Sequence, residues 1–440
     1  MFVHSLGCQM NEYDAGKIRA QLALDGWVST DDPTAADLIL VNTCSVREKA
    51  VDKMHSALGE HRRRKREGQQ VLIGIAGCVA QERGAELVRK YPDVDLVFGP
   101  DGVPAIRRLV SEALAGRKVL DTEFLDLEGY PFVSELDPLA AGVSAFVTIQ
   151  KGCDNHCTFC IVPSTRGAEA SRPHAEIVAE VRGLVARGIR EIVLIGQNVN
   201  SYGLKTPGEL TFAQLLYAVA AVPGVERIRY TTSHPRDMGP DVIQAYRDLP
   251  QLCSHLHLPV QSGSNRVLRR MRRYYTRERY LEVIGALRDA RPDLALSTDV
   301  IVGFPGETDE DFAQTMSLLD DAGFIGSFSF KYSRRPGTPA LVLDDRDPVP
   351  DEVAGARLTA YQDRQRELSL AWHRAHEGRE VDVLVEGPSA HDEGVVCGRT
   401  GTHVMVNFPG DESMVGRTIR VRCTRGFTHS CRGDVVPSAS

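Results

Sequence analysis

The sequence predicts an α/β protein in three parts, and three observations predict it. Over residues 1–116 short apolar runs alternate with stretches of helical periodicity, the pattern of a doubly wound parallel sheet. From 139 to 372 the alternation resumes with a longer beat. Six βα units in about 200 residues make a partial (β/α)6 TIM-like barrel, short of the usual eight. From 373 to 440 short strands and Gly-rich turns replace the helices, as in a small all-β barrel.

In the first segment FVHSL, ADLILVNT, VLIGIAG and VDLVFG read as strands, and DAGKIRAQLALDGW and AELVRKY as helices. Residues 117–138 lack periodicity and carry acidic residues and prolines, so they read as a linker. Phe124, Tyr130 and Phe132 predict that the linker packs against its neighbours. The barrel strands are SAFVTIQ, EIVLIGQNV, RIRYTTS, HLHLPVQ, LSTDVIVGF and SFSFKYS. Between them EIVAEVRGLVARG, TFAQLLYAVAAV, PDVIQAYRDL, RYLEVIGALRDA and DEDFAQTMSLLDDAG are amphipathic helices. VAGARLTAYQDRQRELSLAWHRAH leads out of the barrel, and VDVLVEG, GVVCGRT, HVMVNFPG and TIRVRCTRG follow as strands.

Composition narrows the function. Charged and hydrophobic fractions of 25% and 42% are those of a globular protein, and a formal net charge of −7 excludes coating nucleic acid by bulk charge. An RNA partner must be held by local basic patches. MFVHSLGCQMNEYD has no basic leader, and FAQLLYAVAAV is too short to span a bilayer before its Pro-Gly. The expectation is a cytoplasmic protein without a membrane partner. Ten cysteines there are not a disulfide framework, and most scattered ones are small core hydrophobes. Spacing decides which escape that reading.

Cys153, Cys157 and Cys160 sit in one loop after AFVTIQ, close enough to converge on a metal centre. Zinc needs a fourth ligand, and the imidazole of His156, adjacent to Cys157, is poorly placed for the same tetrahedron. An iron–sulfur cluster with three protein ligands leaves one iron open for a small molecule. The second constellation is distributed: Cys8 follows FVHSLG, Cys44 follows LILVNT, and Cys78 follows VLIGIAG. The carboxyl ends of the strands of an open parallel sheet line one crevice, so these thiols can converge too. Cys253, Cys397, Cys423 and Cys431 lack such placement and read as structural.

Cys-x3-Cys-x2-Cys with Phe159 before its last cysteine resembles the radical-SAM superfamily. The resemblance implies a [4Fe–4S] cluster on Cys153, Cys157 and Cys160 whose open iron chelates S-adenosylmethionine. Phe159 and the backbone near Ile161 would face the adenine, with further contacts from Gln197, Ser233 and Asp299 at strand ends. LGCQMN, NTCSVRE and AGCVAQ resemble the methylthiotransferases, in which Cys8, Cys44 and Cys78 would hold a second [4Fe–4S] cluster and all six cysteines act in catalysis.

That resemblance covers nearly the whole chain: a methylthiotransferase N-terminal domain, a radical-SAM core and a C-terminal TRAM domain. SLGCQMNEYDAGK, NTCSVREKAVDK, IGQNVNSYG, RIRYTTSHP and HLPVQSGS are similar to the tRNA-modifying MiaB-type branch. RimO-type relatives, which modify a ribosomal protein, tend towards Pro-Lys where this chain has Gln9-Met10. Lys151 departs from the acidic residue that often precedes the Gly-Cys of the branch.

The implied reaction converts N6-isopentenyladenosine at position 37 of a tRNA anticodon stem-loop to its 2-methylthio derivative. Its C2–H is beyond side-chain acid–base catalysis, so cofactors carry the hard steps. Flavodoxin or ferredoxin would supply electrons to a monomer. A ribosomal-protein aspartate or another modified adenosine is the same-class alternative. An iron–sulfur electron carrier or scaffold is the alternative of a different class, weakened because electron-transfer clusters are usually fully ligated by protein.

For the RNA, residues 266–280 gather Arg269, Arg270, Arg272 and Arg273 around Tyr274 and Tyr275. Guanidinium forks suit phosphates and aromatic faces suit splayed bases. The competing reading is a solvated helix face with tyrosines turned inward. HRRRKRE at 61–67 is divided evenly between RNA contact and a solvated run.

Overall fold

Leu38–Thr43 is buried along its whole length, as a strand must be when both faces of its sheet are covered. The computed structural model describes residues 1–45 and 48–437; Val46 and Arg47 of NTCSVRE, and 438–440 of the expected C-terminal barrel, lie outside the described residues. In it β1 (Phe2–Leu6), β2 (Leu38–Thr43), β3 (Leu72–Ala76), β4 (Leu96–Phe98) and β5 (Val119–Asp121) form one five-stranded parallel sheet in sequential order. Alternate side chains leave opposite faces. Ile39, Val41, Ile73 and Ile75 pack with α2 (Glu48–Arg66) and α3 (Cys78–Lys90). Leu38, Leu40 and Leu96 pack with α1 (Gln9–Ala23) and α4 (Ile106–Leu114).

Two features differ from expectation. The start of the expected linker is β5, paired along β4. HRRRKRE ends α2 and is used within its own domain: Arg62 pairs with Asp93 at 2.8 Å, Lys65 with Asp95, and Arg64 donates to the carbonyls of Pro33 and Thr34.

Among the described residues the central part has six parallel strands in two three-stranded sets, β6 (Ser144–Thr148), β7 (Glu191–Ile195) and β8 (Arg227–Tyr230), then β9 (His255–His257), β10 (Ala295–Val302) and β11 (Gly326–Lys331). A parallel bridge between Ile228 and Leu252 joins the sets into one open barrel. Val147, Ile192, Leu194, Ile228 and Leu256 point outward into a core with α5 (His174–Ala186), α6 (Phe212–Ala220), α7 (Pro240–Asp248), α8 (Arg277–Ala290) and α9 (Asp309–Ala322). The intervening residues line the inside. Among the described residues no helix is long and apolar enough to cross a membrane.

The long helix α10 (Asp351–Arg374) packs on β11 and leads into a closed five-stranded barrel of β12 (Glu380–Pro388), β13 (Val395–Arg399), β14 (Met405–Pro409), β15 (Thr418–Gly426) and β16 (Cys431–Val435). Cys423 and Cys431 are buried in its core beside Val421 and Phe408. This barrel docks on the inner side of β8 and β9. Arg229 Nη2 donates to the Thr400 carbonyl at 2.7 Å, and the rings of His255 and His403 stack with centroids 4.5 Å apart.

Candidate active site

Each N-terminal cysteine stands where a strand of the first sheet gives way to its helix. Cys8 caps α1, its Sγ against Asn11 Oδ1 at 3.2 Å. Cys44 follows β2 directly, its N–H bonded to the Leu6 carbonyl at 2.9 Å. Cys78 opens α3 after Gly77, whose φ of +90° and contact with Asn42 Oδ1 and the Thr43 carbonyl leave no room for a Cβ. The side-chain amide of Asn11 also donates to Asn42 Oδ1 at 3.1 Å, tying two of these strand ends together. A hydrogen bond from Cys44 draws the Cys8 thiol down to about 6 against its burial, with Arg166 assisting. Burial pushes Cys78 the other way, opposed chiefly by Arg166.

The second triplet lies on the loop beyond β6. Cys153 and Cys157 are buried and Cys160 is partly buried. Gly152, at φ +71°, brings this loop against the Ala168 carbonyl, where a Cβ would collide. Burial pushes Cys153 up and Cys160 to about 12, so as bare thiols they hold their protons. A metal held there would supply the positive charge that favours thiolates. Arg273 Nη1 donates to Cys157 Sγ at 3.4 Å and Nη2 to the Pro259 carbonyl at 2.9 Å. His156 is exposed.

Among the described residues no three His, Cys, Asp or Glu side chains converge as the ligands of one ion do. In a four-iron cluster each thiolate takes a different iron, so its ligands stand farther apart than those of a single ion. Both triplets fit that arrangement: three thiols each, walled by protein, with a buried guanidinium beside them.

Buried ion pairs join the two domains that carry the triplets. Arg166 ends the short helix Val162–Arg166, which follows Cys160. Its guanidinium pairs with Asp14 of α1 at 2.6 Å and lies beside Cys8 and Cys78. Lys17 of α1 meets Glu180 of α5 at 2.8 Å, and Arg172 reaches the same carboxylate. Lys151 pairs with Asp101 at 2.6 Å, both buried, and Tyr130 of the linker lays its ring 4.3 Å from the ammonium while its hydroxyl donates to Asp101 at 3.0 Å. Tyr130 and Phe132 of the linker are thus partly covered, whereas Phe124 stays 45% exposed. From the tip of α1, Gln9 Oε1 accepts the Thr231 hydroxyl at 3.1 Å and Met10 packs on Val193 and Ile195 inside the barrel.

Residues 1–99 match the Uncharacterized protein family UPF0004, residues 147–319 the Radical SAM superfamily and residues 374–436 the TRAM domain. The tRNA-2-methylthio-N(6)-dimethylallyladenosine synthase of Geobacter metallireducens is 45% identical over 99% of this chain and 98% of its own length. The protein of the same name from Aromatoleum aromaticum is 46% identical, again over 99% and 98%. The chain belongs to this synthase family. The radical S-adenosylmethionine methyltransferase TsrM of Kitasatospora setae, solved with cobalamin and a [4Fe–4S] cluster bound, superposes with a TM-score of 0.57 at 15% identity, covering 77% of this chain and 73% of that one. That likeness speaks for the fold alone.

As a radical-SAM methylthiotransferase the protein has S-adenosylmethionine and [4Fe–4S] clusters as its cofactors. Around the barrel triplet Phe159 packs with Val267, Met271 and Phe304, and Ile161 is buried at the start of its short helix. Gln197 Oε1 accepts the Gly152 N–H, while its buried Nε2 has no protein partner. Ser233 is committed to the His257 carbonyl at 2.9 Å, and Asp299 lies 3.3 Å from His257 Nε2.

The expected RNA surface needs correction. Arg273 is buried on Cys157, and Tyr275 is buried with its hydroxyl on the Val260 carbonyl at 2.7 Å; both face the cysteine loop instead of solvent. Arg270 leans on Asp347 at 3.3 Å. Arg269, Arg272 and Tyr274 remain on the surface, Tyr274 at 63% exposure. The turn after Arg270 causes the division, because positive φ at Arg272 and Tyr274 sends neighbouring side chains to opposite sides. Sequence reading missed Arg166, Asp14 and Asp101; only the charge of Arg166 just after the cysteine motif hinted at them.

Proposed function

We propose that the protein transfers a methylthio group to C2 of an N6-isopentenylated adenosine at position 37 of a tRNA. The observation that carries this reading is the Arg166–Asp14 pair, which ties the segment after the barrel cysteines to the helix that Cys8 caps, in a chain that matches the synthases over 99% of its length. Cys153, Cys157 and Cys160 would hold the cluster that would supply reductive cleavage of S-adenosylmethionine, and Cys8, Cys44 and Cys78 the one that would carry the sulfur.

The chain's own residues arrange the rest. Gln150, fully buried, accepts the N–H groups of Gln197 and Asn198 at 2.9 and 3.1 Å and so fixes the strand ends around the cysteine loop. Arg166 and Arg273 place positive charge beside the thiolates. The Lys151–Asp101 pair and the linker close the seam between the two sites against water. Phe159, Ile161, Gln197, Ser233 and Asp299 are proposed to contact S-adenosylmethionine, and Arg269, Arg272 and Tyr274 the RNA. The protein works in the cytoplasm as a monomer, with flavodoxin or ferredoxin as electron donor.

The test is nucleoside analysis of tRNA after incubation with reconstituted protein, S-adenosylmethionine and reductant. Isopentenyladenosine should be replaced by its 2-methylthio derivative. Unchanged tRNA alongside a methylthiolated ribosomal protein would overturn the reading.

A further inference from the structure

β11 ends the open barrel, and its two faces differ. Ser329 turns towards α10, where Gln362 donates to its hydroxyl at 3.3 Å. Phe328 and Phe330, on the opposite face, look into the barrel and remain 59% and 46% exposed. A closed eight-stranded barrel fills its interior with packed side chains. Here the inner faces of β6 and β7 lie under Met10, and those of β8 and β9 meet the Thr400–His403 loop. The inner face of β11 keeps two aromatic rings bare.

The bare wall continues the cysteine site. The next inner position, Tyr332, packs with Phe159 and Ile301 around Phe304, its ring 5.5 Å from that of Phe304. Polar groups flank the rings on the other side. The His257 ring meets Phe328 edge-on at 5.9 Å, and His257 itself lies 3.3 Å from Asp299 and 2.9 Å from Ser297. Flat aromatic faces with polar groups at their edge take a splayed nucleobase, whose own face stacks while its edge hydrogen-bonds. Two rings two residues apart offer more apolar area than one base needs, which suits a base bearing an apolar branch.

We propose that Phe328 and Phe330 form the subsite that receives the prenyl-bearing adenine of the RNA and selects it over unmodified adenine. The inference rests on the substrate reading given above. Tyr332, two residues beyond Phe330, packs on the same Phe304 cluster as Phe159, and this links the platform to the cysteine loop. The aromatic pair acts in binding and selection; it touches neither cysteine triplet.

The experiment compares two anticodon stem-loop RNAs, one with N6-isopentenyladenosine at position 37 and one with adenosine, on the reconstituted full-length protein. Affinity and kcat/KM are measured for wild type, the pair F328A/F330A and the pair F328Y/F330Y. The Ala pair should lose at least about tenfold of the preference for the prenylated RNA, and the Tyr pair should keep it. Both rings are exposed, so melting temperature and iron content should hold and exclude misfolding as the cause. A wild type that converts the prenylated RNA, with Ala variants that keep its preference or lose affinity equally for both RNAs, overturns the platform alone. A wild type that converts neither RNA overturns the proposed function and the platform with it.

Discussion

Arg166 pairs with Asp14 at 2.6 Å, and this buried contact joins the segment after the barrel cysteines to the helix that Cys8 caps. The same guanidinium lies beside Cys8 and Cys78, so it serves both domain docking and the electrostatics of the first triplet. Removing one partner of a buried pair leaves the other charge uncompensated, at a cost of about 3–5 kcal/mol, whereas replacing both by apolar groups is often neutral. Arg166→Met should therefore lower the melting temperature and abolish methylthio transfer. R166M/D14L should recover the melting temperature and still make no product. Recovery of product in the double variant would reduce Arg166 to a docking residue.

The two triplets predict separable losses. Replacing Cys153, Cys157 and Cys160 by Ala should leave about half the iron and sulfide of the reconstituted protein, the outcome that follows from one four-iron cluster on each triplet. Replacing Cys8, Cys44 and Cys78 should abolish methylthio transfer while 5′-deoxyadenosine still forms, since the barrel triplet is intact. Full iron in the first variant, or no 5′-deoxyadenosine in a folded second one, would contradict the division.

The seam between the domains should respond to its buried ion pair in the same way. Asp101→Asn leaves the Lys151 ammonium buried without its counter-charge, and burial already pulls that ammonium down. The melting temperature should fall, by the equivalent of about 3 kcal/mol or more, and K151M/D101L should restore much of it. A silent Asp101→Asn would show that the linker alone holds the seam.

Legibility in the sequence followed the range of the interactions. Strand and helix runs are local, so the six barrel strands were readable from alternation and apolar length. The strand ends then placed Cys8, Cys44 and Cys78 together, because parallel strands share one carboxyl edge. Lys151 was read only as a departure from a pattern. Its reason, Asp101 in another domain, is a long-range pairing that local periodicity does not encode. Val119–Asp121 was too short to register as a strand until β4 lay beside it. Arg273 and Tyr275 failed for a different cause: a run of like residues does not reveal which way a left-handed turn sends each side chain.

The stacked pair His255–His403 predicts an acid-sensitive joint between the barrel and the C-terminal domain. Burial holds His255 well below its ordinary value, and desolvation at the contact draws the more exposed His403 the same way, with Arg229 adding repulsion. Unfolded, both take up a proton near pH 6.5; folded, they refuse it until far lower pH. Stability is therefore intact above about 6.5 and falls as pH drops below it, chiefly through His255, because the more exposed His403 is partly screened by solvent. His403→Asn tolerates the positive φ of that position and removes one proton from the balance. Its melting temperature should fall less steeply than that of wild type between pH 7 and 5. Parallel curves would mean that the stack does not set the acid response.

The surface that remains for RNA is narrower than the sequence suggested, and that makes it testable. Arg269 and Arg272 are exposed, while Arg273 is buried against Cys157. Each phosphate left without its cation lowers the slope of log affinity against log salt by about 0.9 on a duplex and 0.7 on a single strand. R269Q/R272Q should weaken tRNA binding and flatten that dependence, with iron content unchanged. Arg273→Gln should do the reverse: the salt slope should hold, and the absorbance and iron of the barrel cluster should change because Cys157 loses its donor. Tyr274 sits at positive φ, so Tyr274→Asn removes the ring without straining the backbone. Loss of stacking there should weaken binding with little effect on the slope. If R269Q/R272Q and Tyr274→Asn were both silent while removal of residues 379–440 abolished binding, the grip on tRNA would belong to the C-terminal β-barrel and not to this turn.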